Sequence, residues 1–354
     1  MVLGALIALA SCAERDASND GVSPSTQSVV LYTSADDVFV RQVVDSFERD
    51  TGIRVELVGD TEATKTTGLV TRLLAERDAP RCDVWWSSEP MGTLLLEASG
   101  VLEAGAMGDL VPDDWPEELV GGGDAGPSWV GYAERGRVIA YSTDRVATPP
   151  TTLDALTRPE WRGRVGMARP QFGTTRGHMA LLCARWGAVL FEGWLTALHA
   201  NGLRLYDGNA RVVRAIYEGE IDVGLTDTDD VWVAIANDWP VAMTFETPDY
   251  GTSQATRFPS RGATTIPNTV AIVAGGPNPD AARRLAAYLI SPAVERLLAE
   301  STSRNIPVDP ELRRVFAHLL PDPTAENALR PRYSDAAAKV PEAMDLCERV
   351  LISP

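Results

Sequence analysis

The stretch SVVLYTSADDVFVRQVVDSFERDTGIRVELVG, residues 28–59, decides the fold. Its opening SVVLYTSA reads as a short strand. Val40, Val43, Val44 and Phe47 then fall at i, i+3, i+4 and i+7, which marks one face of a helix that Gly52 stops. IRVELVG is the next strand. The rhythm continues with LVTRLLAER as a helix, DVWWS as a strand, and MGTLLLEASG as a helix ending in glycine. A βαβαβα run implies a parallel sheet flanked by helices. Ligands of such sheets sit at the carboxyl ends of the strands, which singles out TSADD at residues 33–37 and SSEP at residues 87–90.

The alternation fails between about residues 101 and 136, where Gly, Pro, Asp and Trp dominate, and then resumes. RVIAYST, GRVGMA, LRLYDG and EIDVGLTD read as strands, with helices at GHMALLCARWG, FEGWLTALHANG and ARVVRAIYEG. A second α/β lobe fits there. Near the end, IPNTVAIVAGG is a strand, and DAARRLAAYLISPAVERLLAE is helical with a break near Ser291 and Pro292. At 354 residues with 45% hydrophobic content, the chain can bury two ordinary cores. Its formal charge of −17 sets it against nucleic acid or an anionic membrane surface as partner, because either would repel it.

The N-terminal MVLGALIALASC is too short to span a bilayer. Leu9, Ala10, Ser11 and Cys12 resemble the end of a bacterial lipoprotein signal, without the basic residues that usually precede it. Cys12 is then the lipidated residue, residues 1–12 a signal remnant, and residues 13–27, rich in Ser, Asp and Asn, a flexible tether. The remaining cysteines, Cys82, Cys183 and Cys347, are odd in number and widely spaced, so no disulfide framework or zinc pattern follows.

Catalytic constellations are missing. There is no P-loop, HExxH, CxxC or GxSxG, and only three histidines occur, His178, His199 and His318. GGGDAG at residues 121–126 matches a dinucleotide fingerprint, but it follows no strand and runs into Pro127 instead of opening a helix. No cofactor is implied, and an enzyme would need a catalytic group that the sequence does not display.

The series VVLYTSADD, FERDTGIRVE, RCDVWWSSEP, EASGVLEA, PEWRGRVGMARPQFGTT, GNARVVRAIYEGEIDVGLTDTDD and IPNTVAIVAGGPNPDAARRLAAYLIS resembles periplasmic solute-binding proteins of ABC importers, in the group that includes the ferric-ion-binding proteins. The resemblance runs over roughly residues 28–310 and implies a two-lobed α/β periplasmic-binding-protein fold of type II, with hinge strands between the lobes. It also implies discontinuous lobes: residues 28–130 plus 264–354 form lobe 1, and residues 131–263 form lobe 2. The expected partners are a small charged solute and an ABC permease and ATPase. The chain is expected to be monomeric and extracytoplasmic, and to touch the membrane only through its lipid anchor.

Carried over by position, the adjacent tyrosines of ferric-binding members fall at Asp229 and Asp230, an iron-binding histidine at Asp36, and a glutamate ligand at Ser88 with Glu89 beside it. Carboxylates are hard oxygen donors that suit Ca²⁺, Mg²⁺ or an organic ammonium as well as Fe³⁺. The loop that holds a companion anion in those relatives is FGTTRGH, where Gly173, Thr174 and Thr175 precede a helix, and Asn209 matches an asparagine facing the same anion. Ser34, Asp36, Ser88, Glu89, Asp227, Asp229 and Asp230 on one side, and Gly173, Thr174, Thr175 and Asn209 on the other, therefore suit a solute of both charges. A zwitterionic phosphonate, a phosphorylated organic solute, or a metal with a bridging anion fits. The alternatives are a ferric or other metal site built from Asp36, Glu89, Asp229 and Asp230, and a solute-sensing or structural lipoprotein. The blander reading is that Thr228 or Asp229 merely caps the following helix.

Overall fold

The computed structural model describes residues 27–60, 66–248, 256–320 and 330–352. Cys12, the signal remnant 1–12 and all but the last residue of the tether 13–27 lie outside them. The helix expected from the opening stretch is α1 (Asp37–Thr51), and Gly52 ends it in the left-handed conformation at φ 71°. Val40, Val43, Val44 and Phe47 are all buried in the core, as their spacing requires.

Among the described residues, ten strands form one connected sheet. In chain order they are β1 (Ser28–Thr33), β2 (Arg54–Gly59), β3 (Val84–Ser87), β4 (Val120–Gly123), β5 (Gly126–Ser142), β6 (Val165–Ala168), β7 (Arg204–Tyr206), β8 (Val223–Asp227), β9 (Val241–Phe245) and β10 (Thr264–Ile272). The spatial order is β2-β1-β3-β10-β5-β8-β6-β7, with β4 and β9 also paired to β5. Strands β2, β1 and β3 are parallel, and so are β7, β6 and β8. The glycine-rich 121–126 segment is the tight β4–β5 hairpin, where a side chain at Gly121 would collide with the Trp129 ring.

Strand β5 organises the molecule. It is 17 residues long, so it extends about 55 Å, roughly three times an ordinary strand. Its first half pairs with β10 and β4, and its second half with β8 and β9. One hydrophobic core lies around α1, β1, α8 (Pro279–Leu289) and α9 (Pro292–Glu300), while another gathers α4 (Gly173–Trp186) and α5 (Ala188–Ala200). The assignment of all of residues 264–354 to the first lobe needs correction. Tyr333, Ala336, Val340, Ala343, Leu346 and Cys347, on α11 (Tyr333–Ala337) and α12 (Val340–Cys347), are buried in the second core beside Met179 and Leu195. Their apolar spacing said only that they face some core. It did not say which.

A bulge interrupts the β5–β10 ladder where the two strands cross between cores. Arg135 pairs with Ile266 and Tyr132 with Asn268, so Ala133 and Glu134 together oppose Pro267. Proline has no N–H to donate, so a bulge is where a strand tolerates it. Ala133 takes a left-handed φ of 43°, a strained conformation for a residue with a Cβ. Buried polar groups clamp it there. Its N–H donates to Glu295 Oε1 at 2.8 Å, and its carbonyl accepts from Asn268 Nδ2 at 2.6 Å and Asn305 Nδ2 at 3.1 Å. Glu134 exchanges both backbone bonds with Ile306 at 2.7 Å, and its carboxylate accepts from Thr265, Arg313 and Arg330. Beyond the bulge the strand delivers Arg135 and Arg137 to the region between the lobes.

Glu295 also accepts from the backbone N–H groups of Val308 at 2.9 Å and Asp309 at 2.7 Å, and burial pushes its carboxyl up to about 7 despite these donors. The folded chain therefore holds a proton that the unfolded chain releases at lower pH. Stability from this group is greatest near the ordinary carboxylate range and falls as pH rises toward about 7. Glu295→Gln replaces one acceptor with a donor beside three N–H groups. It should lower unfolding stability by about 1–3 kcal/mol and flatten the decline between pH 5 and 8, as read by urea titration.

Candidate functional site

Three helices of the second lobe begin at the carboxyl ends of its parallel strands: α4, α6 (Asn209–Tyr217) and α7 (Thr228–Ala236). The N-cap residue of none of them makes a side-chain cap bond, and the first turns of all three, with their positive dipole ends, line one space. From the first lobe, α1 begins after Asp36, and the β3–α3 connection, preceding α3 (Pro90–Ala98), presents Ser88. Between them lies a cleft of about 370 Å³. Asp36, Ser88, Gly173, Thr174, Thr175, Asn209, Asp227, Asp229 and Asp230 all line it.

Two sequence candidates fall elsewhere. Glu89 is a buried helix cap: its carboxylate accepts from Met91 N–H at 2.6 Å and Gly92 N–H at 3.0 Å, so both oxygens are spent on α3. Burial raises its carboxyl, only partly offset by Arg176. It does not line the cleft. Ser34 does not line the cleft either. Its hydroxyl accepts from Ser88 N–H at 3.0 Å and lies 3.3 Å from the hydroxyls of Ser87 and Ser88, tying β1 to the β3–α3 connection.

The sequence reading also missed the two arginines that dominate the site. Arg135 and Arg137 are two residues apart on β5, so they share one face of the strand. Arg137 sits directly opposite Asp227 in the β5–β8 ladder, and its Nη1 donates to Asp227 Oδ1 at 2.7 Å, with both side chains buried. Asp227 Oδ2 accepts from Thr174 Oγ1 at 2.6 Å and Asn209 Nδ2 at 3.0 Å. The expected anion cradle is therefore corrected in one respect: its side-chain donors already hold an anion, the carboxylate of Asp227. Burial raises that carboxyl, but Arg137, Arg135 and Thr174 outweigh the burial and hold it below the usual carboxylate range.

Arg135 bridges the two sides. Its Nη1 donates to Asp229 Oδ2 at 3.2 Å, and its Nη2 donates to the Ser88 carbonyl. Burial would lower its pKa, but Asp229, Asp227 and Asp36 together raise it, which puts this guanidinium amid the aspartates of both lobes. The capping reading of the TDTDD cluster holds in part for Asp229, whose Oδ1 accepts from the first-turn N–H of Asp230 at 3.1 Å while its Oδ2 takes Arg135, and not for the other members. Asp227 at the N-cap makes no side-chain cap bond, Thr228 Oγ1 accepts from Gly136 N–H at 3.1 Å, and Asp230 accepts from Thr226 Oγ1 at 3.1 Å. Oxygens of Asp227, Asp229 and Asp230 lie within 4.8 Å of one another.

Apolar and aromatic groups complete the walls, among them Phe39, Phe172, Val213 and Trp239. Trp239 is held by parallel stacking on Tyr217, with ring centroids 4.4 Å apart. Arg169 and Asp207 pair at 3.3 Å on the rim. Among the described residues that line the cleft there is no tyrosine and no histidine. A signal for the arginines was present in ERGRVIAY, where Arg135 and Arg137, at i and i+2 beside Glu134, open an otherwise apolar strand.

The Arg137–Asp227 pair is buried on both sides, so removing one partner strands the other. Arg137→Met should cost about 3–5 kcal/mol in urea unfolding at pH 7, whereas Arg137→Met with Asp227→Leu should recover most of the loss. Because the Asp227 carboxyl is depressed, its contribution is present above the ordinary carboxylate range and is lost as pH falls through the depressed value. Arg137→Met should therefore also move the acid unfolding limb upward in pH.

Comparison with known proteins agrees with this architecture. The Fe(3+)-binding periplasmic protein of Serratia marcescens is 28% identical over 56% of this chain and 56% of its own length, so that match spans little more than half of the relative. The major ferric iron-binding protein of Neisseria meningitidis serogroup B is 24% identical over 83% of this chain and 85% of its own. In fold, apo ferric ion-binding protein A of Pasteurella haemolytica superposes with a TM-score of 0.74 at 19% identity, covering 92% of this chain and 98% of that one. The periplasmic binding protein AfuA of Actinobacillus pleuropneumoniae, solved with fructose-6-phosphate, gives 0.69 at 18% identity over 93% of this chain and 100% of that one. The fold is that of type II periplasmic binding proteins. A family model described as bacterial extracellular solute-binding protein matches residues 29–301, and the chain belongs to that family.

Proposed function

We propose that this chain is the extracytoplasmic solute-binding component of an ABC importer, and that its cleft captures a small organic solute carrying a positive charge, with zwitterions as the favoured class. The observation that carries the reading is the charge of the cleft. Asp36, Asp207, Asp227, Asp229 and Asp230 line it, against Arg135 and Arg169 on its walls and Arg137 behind Asp227. Carboxylates outnumber guanidiniums, and Asp36 comes from one lobe while Asp229 and Asp230 come from the other. A cation held between them draws the lobes together, which is the whole of the transport protein's mechanism: recognition followed by hinge closure about β5 and β10.

The size and walls of the cleft favour an organic solute over a bare ion. About 370 Å³ is within the range of small-molecule sites, and Phe39, Phe172 and Trp239 offer apolar contact to a carbon skeleton. An anionic group on the same solute has the first-turn amides of α4 and α6 available, because the side-chain donors Thr174 and Asn209 serve Asp227. Phosphonates, phosphorylated amines and amino acids share this chemistry. The relatives support an extracytoplasmic binding role, one being an Fe(3+)-binding periplasmic protein and another a major ferric iron-binding protein. The proximity of the Asp227, Asp229 and Asp230 oxygens keeps a metal with a bridging anion as the second reading, although two of those carboxylates already carry arginines. Lipid anchoring at Cys12 and a monomeric state belong to the same proposal.

A thermal-shift panel tests it. Aminoalkylphosphonates, phosphorylated amines and amino acids are compared with Fe³⁺ citrate, Ca²⁺, Mg²⁺ and neutral sugars. The expected result is a shift with a cationic or zwitterionic organic solute, by about 2.7 kcal/mol at a hundred times its dissociation constant, and none with metal alone. Asp229→Asn and Asp230→Asn should each weaken that solute by about 2–5 kcal/mol in calorimetry. A shift with metal and none with any amine overturns the reading in favour of the metal site.

A further inference from the structure

Behind the cleft, on the far side of the Arg137 guanidinium, a separate small space of about 10 Å³ is lined by Arg137, His178, Glu246 and Thr264 among apolar neighbours. Three buried polar atoms of these residues have no hydrogen-bond partner: Nε and Nη2 of Arg137, and Nδ1 of His178. Both side chains are almost wholly buried, with Arg137 3% and His178 2% exposed. Buried polar atoms left without partners cost about 1–3 kcal/mol each, so three around one space point to a molecule that is not protein.

We infer that this chamber is a binding site for a single water molecule, which holds the Arg137 guanidinium in the plane that lets it grip Asp227. At about 10 Å³ the chamber holds one water and is too small for an oxyanion. The chemistry also selects water. The guanidinium only donates, so the bound species accepts from Arg137. Burial, Arg137 and Arg185 push the His178 ring well below its ordinary pKa, so the ring is neutral and one of its nitrogens accepts. With the ring's proton on Nε2, the unpaired Nδ1 accepts, and a species that accepts from Arg137 and donates to Nδ1 is met by water and not by a halide or a metal ion. The remaining polar wall groups are engaged elsewhere: Thr264 Oγ1 accepts from Arg185 Nη1 at 3.0 Å, and Glu246 takes bonds from Ser260 and Leu153 N–H.

The site's consequence runs through α4. His178 lies one turn after Thr174, so the helix that gives Asp227 its hydroxyl donor also anchors the water. Arg137 is therefore held at both ends, by Asp227 in front and by the water behind. The water and His178 are positioning groups, and neither touches the solute. The inference stands whether or not the solute is the one proposed above.

The test is a crystal structure of the full chain at a resolution that shows ordered water, with His178→Gln and His178→Phe beside it. The expected result is one peak within about 3.2 Å of an unpaired Arg137 nitrogen and of His178 Nδ1. His178→Gln, with a polar end, should keep the peak and the Arg137–Asp227 bond. His178→Phe should lose the peak and let the guanidinium rotate, so that the 2.7 Å contact opens. A dry chamber in the wild-type chain overturns the inference, as does Arg137 turned onto His178 or Glu246. An anomalous halide peak there in crystals grown with bromide also overturns it. An unchanged Arg137–Asp227 contact in a dry His178→Phe chamber overturns the positioning role.

Discussion

The structure depends on two buried guanidiniums on one strand. Arg137 and Arg135 stand two residues apart on β5, and each takes an aspartate from the start of the following lobe: Asp227 across the ladder and Asp229 from the first turn of α7. A buried carboxylate is tolerated only when it is paired and hydrogen-bonded, and these cations supply that pairing to Asp227 and Asp229 among the five aspartates that line the cleft. The same strand carries the bulge at Ala133, clamped by Glu295, Asn268 and Asn305. The conformational strain, the charge balance and the lobe crossing are thus concentrated within five consecutive residues. Any rotation about this segment moves the arginines with it, so hinge geometry and site electrostatics are one variable.

That coupling is the basis of the solute class proposed for the cleft. Asp227 fills the donors that an outside anion would otherwise take, and Arg135 sits amid the aspartates that would otherwise attract a bare cation. The remaining excess of carboxylates is spread over both walls, with aromatic surface between. A solute that presents its positive group on an organic body satisfies all of these features together. In the closed form the desolvated charges interact more strongly than in water, which favours closure around the right solute and opposes it around the wrong one.

Much of this was legible in the sequence. The 28–59 stretch carried the helix period, the glycine stop and the strand on each side, and the structure forms those elements there because apolar spacing and capping agree. The cluster TDTDD stood out because like charges at one strand end need a reason, and nine of the eleven proposed solute-binding residues do line one cleft. Glu89 failed because a carboxylate before Pro90 can serve the helix it begins as well as a ligand, and sequence does not decide which. The arginines were missed because they stand at the edge of the stretch where alternation fails and resumes, and the bulge at Ala133 and Glu134 hides the strand continuity that places both on one face. The destination of residues 333–352 was not legible because their apolar spacing fits either core.

The most direct measurement of the central claim is a crystal structure of the chain with the organic solute that most stabilises it. The account predicts its positively charged nitrogen within about 3.2 Å of Asp229 or Asp230, its skeleton against Phe39 and Trp239, contact with both lobes, and Arg137 still on Asp227. A metal ion coordinated by Asp227, Asp229 and Asp230 with the arginines displaced would contradict it, as would a solute lying wholly on one lobe.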